Sequence, residues 1–305
     1  MPELIGLGEA MVEIYADQPL GSATQLQKSF GGDVFNALVM AQRLGTSTGF
    51  YTRVGNDPFG QGLLEFCQLE GVDTSQAKMV SGENGVYFIS LQTGGEREFT
   101  YRRQGSAASQ YGLYDLDQES IQKSQMLLVS GISQAISKSA EEAVLGAAKM
   151  AREDGIKVAF DPNYRPKLWE NHGGLKAAQQ AFLKLEPYLD MLLPSFPADL
   201  SIFGLEPHDQ PNALQALQQR CAVVAMKCGE DGAWISTQDT KQHIPAQKAT
   251  VVDTTGAGDA WNGAFLHGVL QHKTLIESAR EANRIAALKL GHRGAIPPQQ
   301  VFNGL

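Results

Sequence analysis

Short apolar runs that alternate with helically spaced segments constrain this chain more than any other feature. KVAF (157–160), DMLL (190–193) and AVVAM (222–226) are bounded by Pro, Asn, Gly or Asp. Runs of that kind suit strands buried on both faces of a parallel sheet. The stretch from Leu4 to Ile14 also opens strand-like, with alternating apolar and β-branched residues. Between such runs, Val34, Ala37, Leu38, Ala41 and Leu44 recur at helical spacing, with Asp33 near the start and Gly45 just past the end. Ser139 and Glu142 have capping-box spacing ahead of the helix-like SAEEAVLGAAKMARE, which stops at Gly155. The alternation predicts an α/β fold, a doubly wound, mostly parallel central sheet flanked by helices. With 305 residues, 43% of them apolar, the chain can bury a substantial core.

Composition excludes several function classes. A formal net charge of −8 gives no global electrostatic case for nucleic acid or a bare membrane surface. Cys67, Cys221 and Cys228 form no CxxC pair and are odd in number, which fits a reducing compartment without a disulfide framework. MPELIGLGEAMVEIYA has neither a basic n-region nor a long apolar h-region, and no apolar run approaches membrane-spanning length. A soluble, cytoplasmic protein is the expectation. His267 and His272 are five residues apart, off a common helix face, and no Cys/His set has zinc spacing. The histidines read as surface or satisfied core residues, so no protein metal site is expected. A GxxxxGK[ST] loop and an HExxH pair are absent, and a GxGxxG fingerprint would need glycine where Trp261 stands.

One region breaks the alternation. GVYFISLQTGGEREFTYRRQGS (85–106) is two strand-like runs around a Thr-Gly-Gly turn with no helix between them. That predicts an antiparallel hairpin outside the main sheet. Period-two alternation sets Phe99, Tyr101 and Arg103 on one face. Either the hairpin is a plain surface feature with a solvated arginine, or the aromatic and basic residues make a binding lid; the second is preferred.

DTTGAGDAWNGAFLHGVL (253–270) carries the chemistry. Val251-Val252-Asp253 is read as a strand end, Thr254 and Thr255 lead into Gly256-Ala257-Gly258, and a helix is expected to begin near Asp259. Small residues let successive N–H groups converge, and the helix N-terminus adds partial positive charge there. Such a nest stabilises an anion, including charge building on a phosphoryl group in a transition state. Asp259 beside it could take the proton of an attacking hydroxyl, or it could merely offset the helix dipole. The loop alone leaves both readings open.

DTTGAGDAWNGAF closely resembles the second signature of the ribokinase-like (PfkB) carbohydrate kinases, DTxGAGD followed by small and apolar residues. Gly31-Gly32, Asn36, Gly45 and Val54-Gly55-Asn56-Asp57-Pro58-Phe59-Gly60 resemble the family's first, GG…N…LG…VGxDxFG. The similarity continues through FDPNYRPKLW (160–169), KCGEDGAW (227–234) and EANRIAALKLGHRGA (281–295), nearly the whole chain. The resemblance implies one ribokinase-like domain over 1–305, with a small β-sheet lid from segments near 11–30 and 85–106. It implies ATP-dependent phosphorylation of a sugar hydroxyl, with Asp259 as catalytic base and Gly256, Ala257 and Gly258 as the anion hole. Gly32 and Asn36 would line the sugar pocket. Asn163, Ser195, Lys227, Gly229 and Gly232 would serve the nucleotide, with Asn283 near the adenine. For Gly31, a tight turn before the helix is the preferred reading. For Lys227, Gly229, Gly232 and Asn283, helix or turn packing is a rival one. Mg²⁺ would be held mainly by ATP phosphates and water. A homodimer clasped through the lid is also implied, consistent with the exposed edges of such a sheet. One departure stands out. Where the family often has NxxE, this chain has Ser195-Phe196-Pro197-Ala198, with Asp199 one residue later.

Arg103 on the hairpin and Arg165 after the strand in DPNYR suggest recognition of an acid, because guanidinium pairs bidentately with carboxylate. GVYFISL and YRRQGSAAS resemble the 2-keto-3-deoxygluconate kinases within the family. That implies Tyr87, Tyr101, Arg103 and Arg165 as substrate contacts and phosphorylation of that sugar acid to its 6-phosphate. A fructokinase or other neutral-sugar kinase is the first alternative. A non-catalytic nucleotide- or sugar-binding protein, motivated by Ser195 and Ala198, is the second.

Overall fold

The computed structural model describes residues 1–91 and 97–302. Its larger sheet has nine strands. From edge to edge they are Lys241–Ile244, Ala233–Ser236, Val223–Lys227, Met191–Leu192, Lys157–Asp161, Met126–Ser130, Leu4–Leu7, Thr48–Gly55 and Ala77–Val80. The pairings from Val223–Lys227 through to Ala77–Val80 are parallel. Only the two pairings at the first edge are antiparallel, because Ala233–Ser236 alone runs against the other strands. The three apolar runs read as buried parallel strands are therefore central to the sheet.

Successive strand side chains point to opposite faces, and the core divides accordingly. Leu4, Leu128 and Ala159 pack beneath helices Asp33–Arg43, Ala257–Leu270 and Leu275–Leu290. Ile5, Leu127, Val129, Val158 and Phe160 face helices Lys138–Glu153 and Gly174–Leu185. The result is a three-layer α/β/α molecule. Gly263 lets helices Asp33–Arg43 and Ala257–Leu270 approach closely, since a Cβ there would sit 2.3 Å from the Ala37 carbonyl oxygen.

A separate four-stranded sheet has the order Gln27–Gly31, Met11–Ala16, Val86–Leu91, Arg97–Arg102. Its last two strands form the expected antiparallel hairpin, with Tyr87 opposite Tyr101. The Thr-Gly-Gly turn falls within 92–96, outside the described residues.

Three local expectations need correction. The segment from Leu4 to Ile14 is two strands in two sheets, because the chain leaves the main sheet over buried Glu9 and enters the smaller one at Met11. Val251-Val252-Asp253 is loop rather than strand, with both valines exposed, and the following helix starts at Ala257. There, Asp253 spends its carboxylate on local N–H groups and the Val252 and Asp253 N–H groups donate to the Leu290 carbonyl. Finally, helix Lys138–Glu153 is capped by Ser137, whose Oγ accepts from the Ala140 N–H at 3.1 Å, so the Ser139–Glu142 spacing lies inside the helix.

Candidate active site

A cleft of about 540 Å³ opens where parallel strands end and two helices begin. Asp161 and Lys227 close their strands, and Asp33 and Ala257 open their helices. Ligands bind at this edge of doubly wound sheets because strand ends and helix N-termini leave backbone groups free there.

The glycine loop forms one wall. Gly256 is the N-cap of helix Ala257–Leu270 at φ 73°, and an added Cβ would lie 2.8 Å from the Ala295 carbonyl oxygen. Left-handed backbone and close approach both require glycine there. The Ala257 N–H donates to the Thr254 carbonyl at 3.2 Å, while those of Gly256, Gly258 and Asp259 have no protein acceptor among the described residues. Ala257 thus contributes small size to the nest, and its neighbours contribute the free donors.

Asp259 sits in the first helical turn and faces the cleft. Its Oδ2 accepts from Asn36 Nδ2 at 2.8 Å, and Asn36 Oδ1 accepts from the Gly32 N–H at 3.2 Å. Asn36 lines the cleft, yet its amide is committed to orienting Asp259. Gly32 is extended, and its Cβ would collide with the Glu9 carbonyl oxygen at 2.0 Å. Burial, reinforced by the like charge of Asp33 and then of Asp161, pushes Asp259 up to about 7, against the pull of Asn36 and Lys227.

Asp33 and Asp161 were not singled out from the sequence, although both adjoin motifs that were: Gly31-Gly32 and DPNYR. Burial also raises Asp33. Asp161 Oδ2 accepts from Lys227 Nζ at 3.2 Å and Asn262 Nδ2 at 2.5 Å. Asn163 donates to Asp33 at 3.3 Å from a backbone at φ 40°. Ser195 borders the same cleft. Asp199 has no exposed surface and accepts from the N–H groups of Ser195 and Tyr164, both at 2.7 Å. Burial, then Asp161, pushes it up to about 6. Its carboxylate holds the two loops that flank the cleft, while Ala198 points to solvent.

The smaller sheet supplies the opposite wall. Phe99, Tyr101 and Arg103 all line the cleft. Tyr87 and Tyr101 stack at 5.8 Å between ring centroids, and Tyr101 and Phe99 at 6.4 Å. Tyr87 donates to Glu13 Oε2 at 2.5 Å. The two arginines are unequal. Arg103 is an ion pair with buried Glu9, Nη2 to Oε2 2.5 Å, and Glu9 also accepts from Ser106 Oγ at 2.6 Å. Arg165 is exposed at the rim, where it donates to the Tyr164 carbonyl at 3.1 Å.

Gly229, Gly232 and Asn283 lie outside this cleft. Gly229 and Gly232 have φ 57° and 94°, and Gly232 packs against the Ile244 carbonyl. The Asn283 amide is fully employed: Nδ2 donates to the Ile244 and Pro245 carbonyls, and Oδ1 accepts from Trp261 Nε1 at 2.7 Å. Among the described residues no cluster of His, Cys, Asp and Glu could cage a metal. The cleft does offer the carboxylates Asp33, Asp161 and Asp259, hard oxygen groups of the kind a hydrated Mg²⁺ favours.

Free N–H donors at a helix start thus lie beside a carboxyl whose titration is raised toward neutrality. The pfkB family carbohydrate kinase model matches residues 1–301. The chain is 30% identical to a 2-dehydro-3-deoxygluconokinase of Haemophilus influenzae, covering 97% of this chain and 96% of that protein. It is 28% identical to fructokinase-1 of Zea mays, covering 96% and 93%. An Escherichia coli protein solved with ATP and Mg²⁺ has the same fold at TM-score 0.87 and 23% identity, covering 97% of this chain and 95% of that one. The chain belongs to the PfkB family of carbohydrate kinases and has its ribokinase-like fold. It is a phosphotransferase acting on sugars. Among the described residues no helix is long and apolar enough to cross a membrane.

Proposed function

We propose that this kinase phosphorylates 2-keto-3-deoxygluconate on its terminal hydroxyl, using ATP with Mg²⁺. The observation that carries the reading is the meeting of Asp259, the free N–H groups of the glycine loop and two arginines in one cleft. In the proposed step the sugar hydroxyl oxygen attacks the γ-phosphorus and its proton passes to an Asp259 carboxylate oxygen. The bond from the γ-phosphorus to its bridging oxygen breaks, and ADP leaves. The donors of Gly256, Gly258 and Asp259 stabilise the charge on the transferring group. A bound Mg²⁺ would supply further neutralisation of that charge. Asn36 keeps the base aimed, and Lys227 lies within reach of the phosphate side. Tyr87 and Tyr101 would present an aromatic face to the sugar chain, while Arg165 is the cation free to meet a substrate carboxylate. The smaller sheet acts as a lid on this reading.

Pairing of Arg103 with Glu9 favours one competing reading, a neutral-sugar kinase, since that arginine's charge is already cancelled. ADP release with Mg²⁺-ATP, measured side by side on 2-keto-3-deoxygluconate, fructose, ribose and gluconate, separates the two. Preference for the keto-deoxy acid is expected. Better turnover of fructose would discard the sugar acid and leave the assignment of Asp259 intact.

A further inference from the structure

Lys289, near the end of helix Leu275–Leu290, has no exposed surface at all. A lysine is almost never fully buried unless a carboxylate pairs with it, because stripping water from an ammonium is costly. Here both hydrogen-bond partners are backbone carbonyls: Asp253 at 2.7 Å and His292 at 3.3 Å. Asp253 opens the glycine loop. Its carboxylate is spent elsewhere, Oδ1 accepting from Arg97 Nη1 at 2.6 Å and the Thr255 N–H at 2.9 Å, Oδ2 from the Gly294 N–H at 2.9 Å. His292 opens the turn that reaches Ala295, against which Gly256 is packed. One ammonium therefore joins the two backbone segments that fix where the anion nest points.

We propose that Lys289 is a positioning residue for phosphoryl transfer, an internal ammonium that holds the Asp253 carbonyl and the 292–295 turn so that the Gly256, Gly258 and Asp259 donors converge. The inference rests on the anion-hole reading of the loop given above. It explains why a cation is kept in a place where a methionine would pack without desolvation cost. The charged groups facing Lys289 are Asp253 from the loop, Arg97 from the hairpin, Glu13 from the smaller sheet and Asp259 from the helix. Burial, with the like charge of Arg97 added to it, outweighs the pull of the three carboxylates and brings the ammonium down to about 8.

The test is Lys289→Met, with kcat and both KM values measured from ADP release. Expected is a fall in kcat of about 10–100-fold, less than a lost oxyanion donor would cause in the worst case, with both KM values nearly unchanged. Ammonium or methylammonium chloride should restore part of kcat, and tetramethylammonium chloride should not. In the wild-type protein kcat should decline above a pH of about 8, a limb missing from Lys289→Met. A folded variant with wild-type kcat, or a loss confined to KM, overturns the proposal. If Lys289→Met does not fold, a wild-type kcat that stays flat between pH about 7.5 and about 9.5 overturns it instead. Asp259→Asn in the same assay separates the two levels: retained turnover there would sink the reading of the loop itself, not only the role of Lys289.

Discussion

Replacing Asp259 with asparagine should remove activity and stabilise the fold, and the two effects should depend on pH in a linked way. Burial and the charges of Asp33 and Asp161 hold Asp259 at about 7, against 3.8 for an unperturbed aspartate. At roughly 1.4 kcal/mol per unit, full ionisation would cost the native state about 4 kcal/mol. The carboxyl faces an open cleft, so solvent screening brings this to roughly 1–2 kcal/mol. The sign follows from linkage: a carboxyl raised on folding destabilises above its native pKa, and the penalty fades as pH falls from about 7 toward 3.8. A neutral amide in its place carries no such penalty, and the amide oxygen can still accept from Asn36. The variant should therefore melt about 2–6 °C above wild type at pH 8, with the advantage shrinking by pH 5. ADP release at pH 8 should fall by about 10²–10⁴-fold, and wild-type kcat/KM should rise about tenfold per pH unit below about 7 before levelling. Thermal melts at the two pH values and steady-state ADP release are the assays. A variant that melts below wild type at pH 8 would refute the electrostatic reasoning. One that gains stability but keeps its turnover would leave Asp259 a buried charge that is not the base.

Gly256→Ala should cost about 1–3 kcal/mol of local strain and lower kcat more than either KM, because a Cβ at φ 73° would press on the Ala295 carbonyl; kinetics with a melt of the same sample checks this. The two arginines should separate cleanly. Arg165→Met should raise KM for a sugar acid with little change in melting, because Arg165 is exposed and has no carboxylate partner among the described residues. Arg103→Met should instead lower stability by about 3–5 kcal/mol, by stranding buried Glu9 without its counter-charge; equal melting of the two variants would refute the distinction.

The layered sheet was legible because its strands are short, apolar and bounded, and a strand buried on both faces leaves that mark in any sequence. Gly256 and Gly258 were legible because a helix start with free N–H groups needs small residues in a row, whereas the role given to Asp259 came only from the family resemblance, since the loop alone left it open. What escaped had physical reasons of its own. Val251 and Val252 have strand propensity, but the tertiary bonds of Asp253 and Leu290 decide their conformation. Ser137 outcompetes Ser139 as a cap because either serine satisfies the local rule and only the incoming chain direction selects one. The tie that the Asn283 amide makes between a helix and the loop after Ile244 is likewise a long-range contact that no local pattern reports. Asp33, Asp161 and Lys289 belong to segments far apart in the chain, and no local pattern reports a contact between them. Sequence could flag Lys289 only as a lysine within an apolar helical stretch, which a snorkelling surface residue would match equally well.

The charges of the cleft also bear on how nucleotide and sugar must arrive. Four carboxylates, Glu9, Asp33, Asp161 and Asp259, share it with three cations, Arg103, Arg165 and Lys227. Arg103 cancels Glu9 and Lys227 cancels Asp161 at contact distance. Asp33 and Asp259 remain against Arg165, which stands at the rim. A bare polyphosphate entering such a site would meet net negative charge and would raise both carboxyls further. The glycine-loop donors and Lys227 cannot offset that alone, since the donors carry only partial charge and Lys227 is already paired. On the function proposed above, a divalent ion carried by the phosphates would supply the missing positive charge, and Asp259 beside it would be drawn toward its ionised form. On that same reading, the elevated carboxyl would precede nucleotide binding, and the full complex would favour the ionised form that accepts the proton.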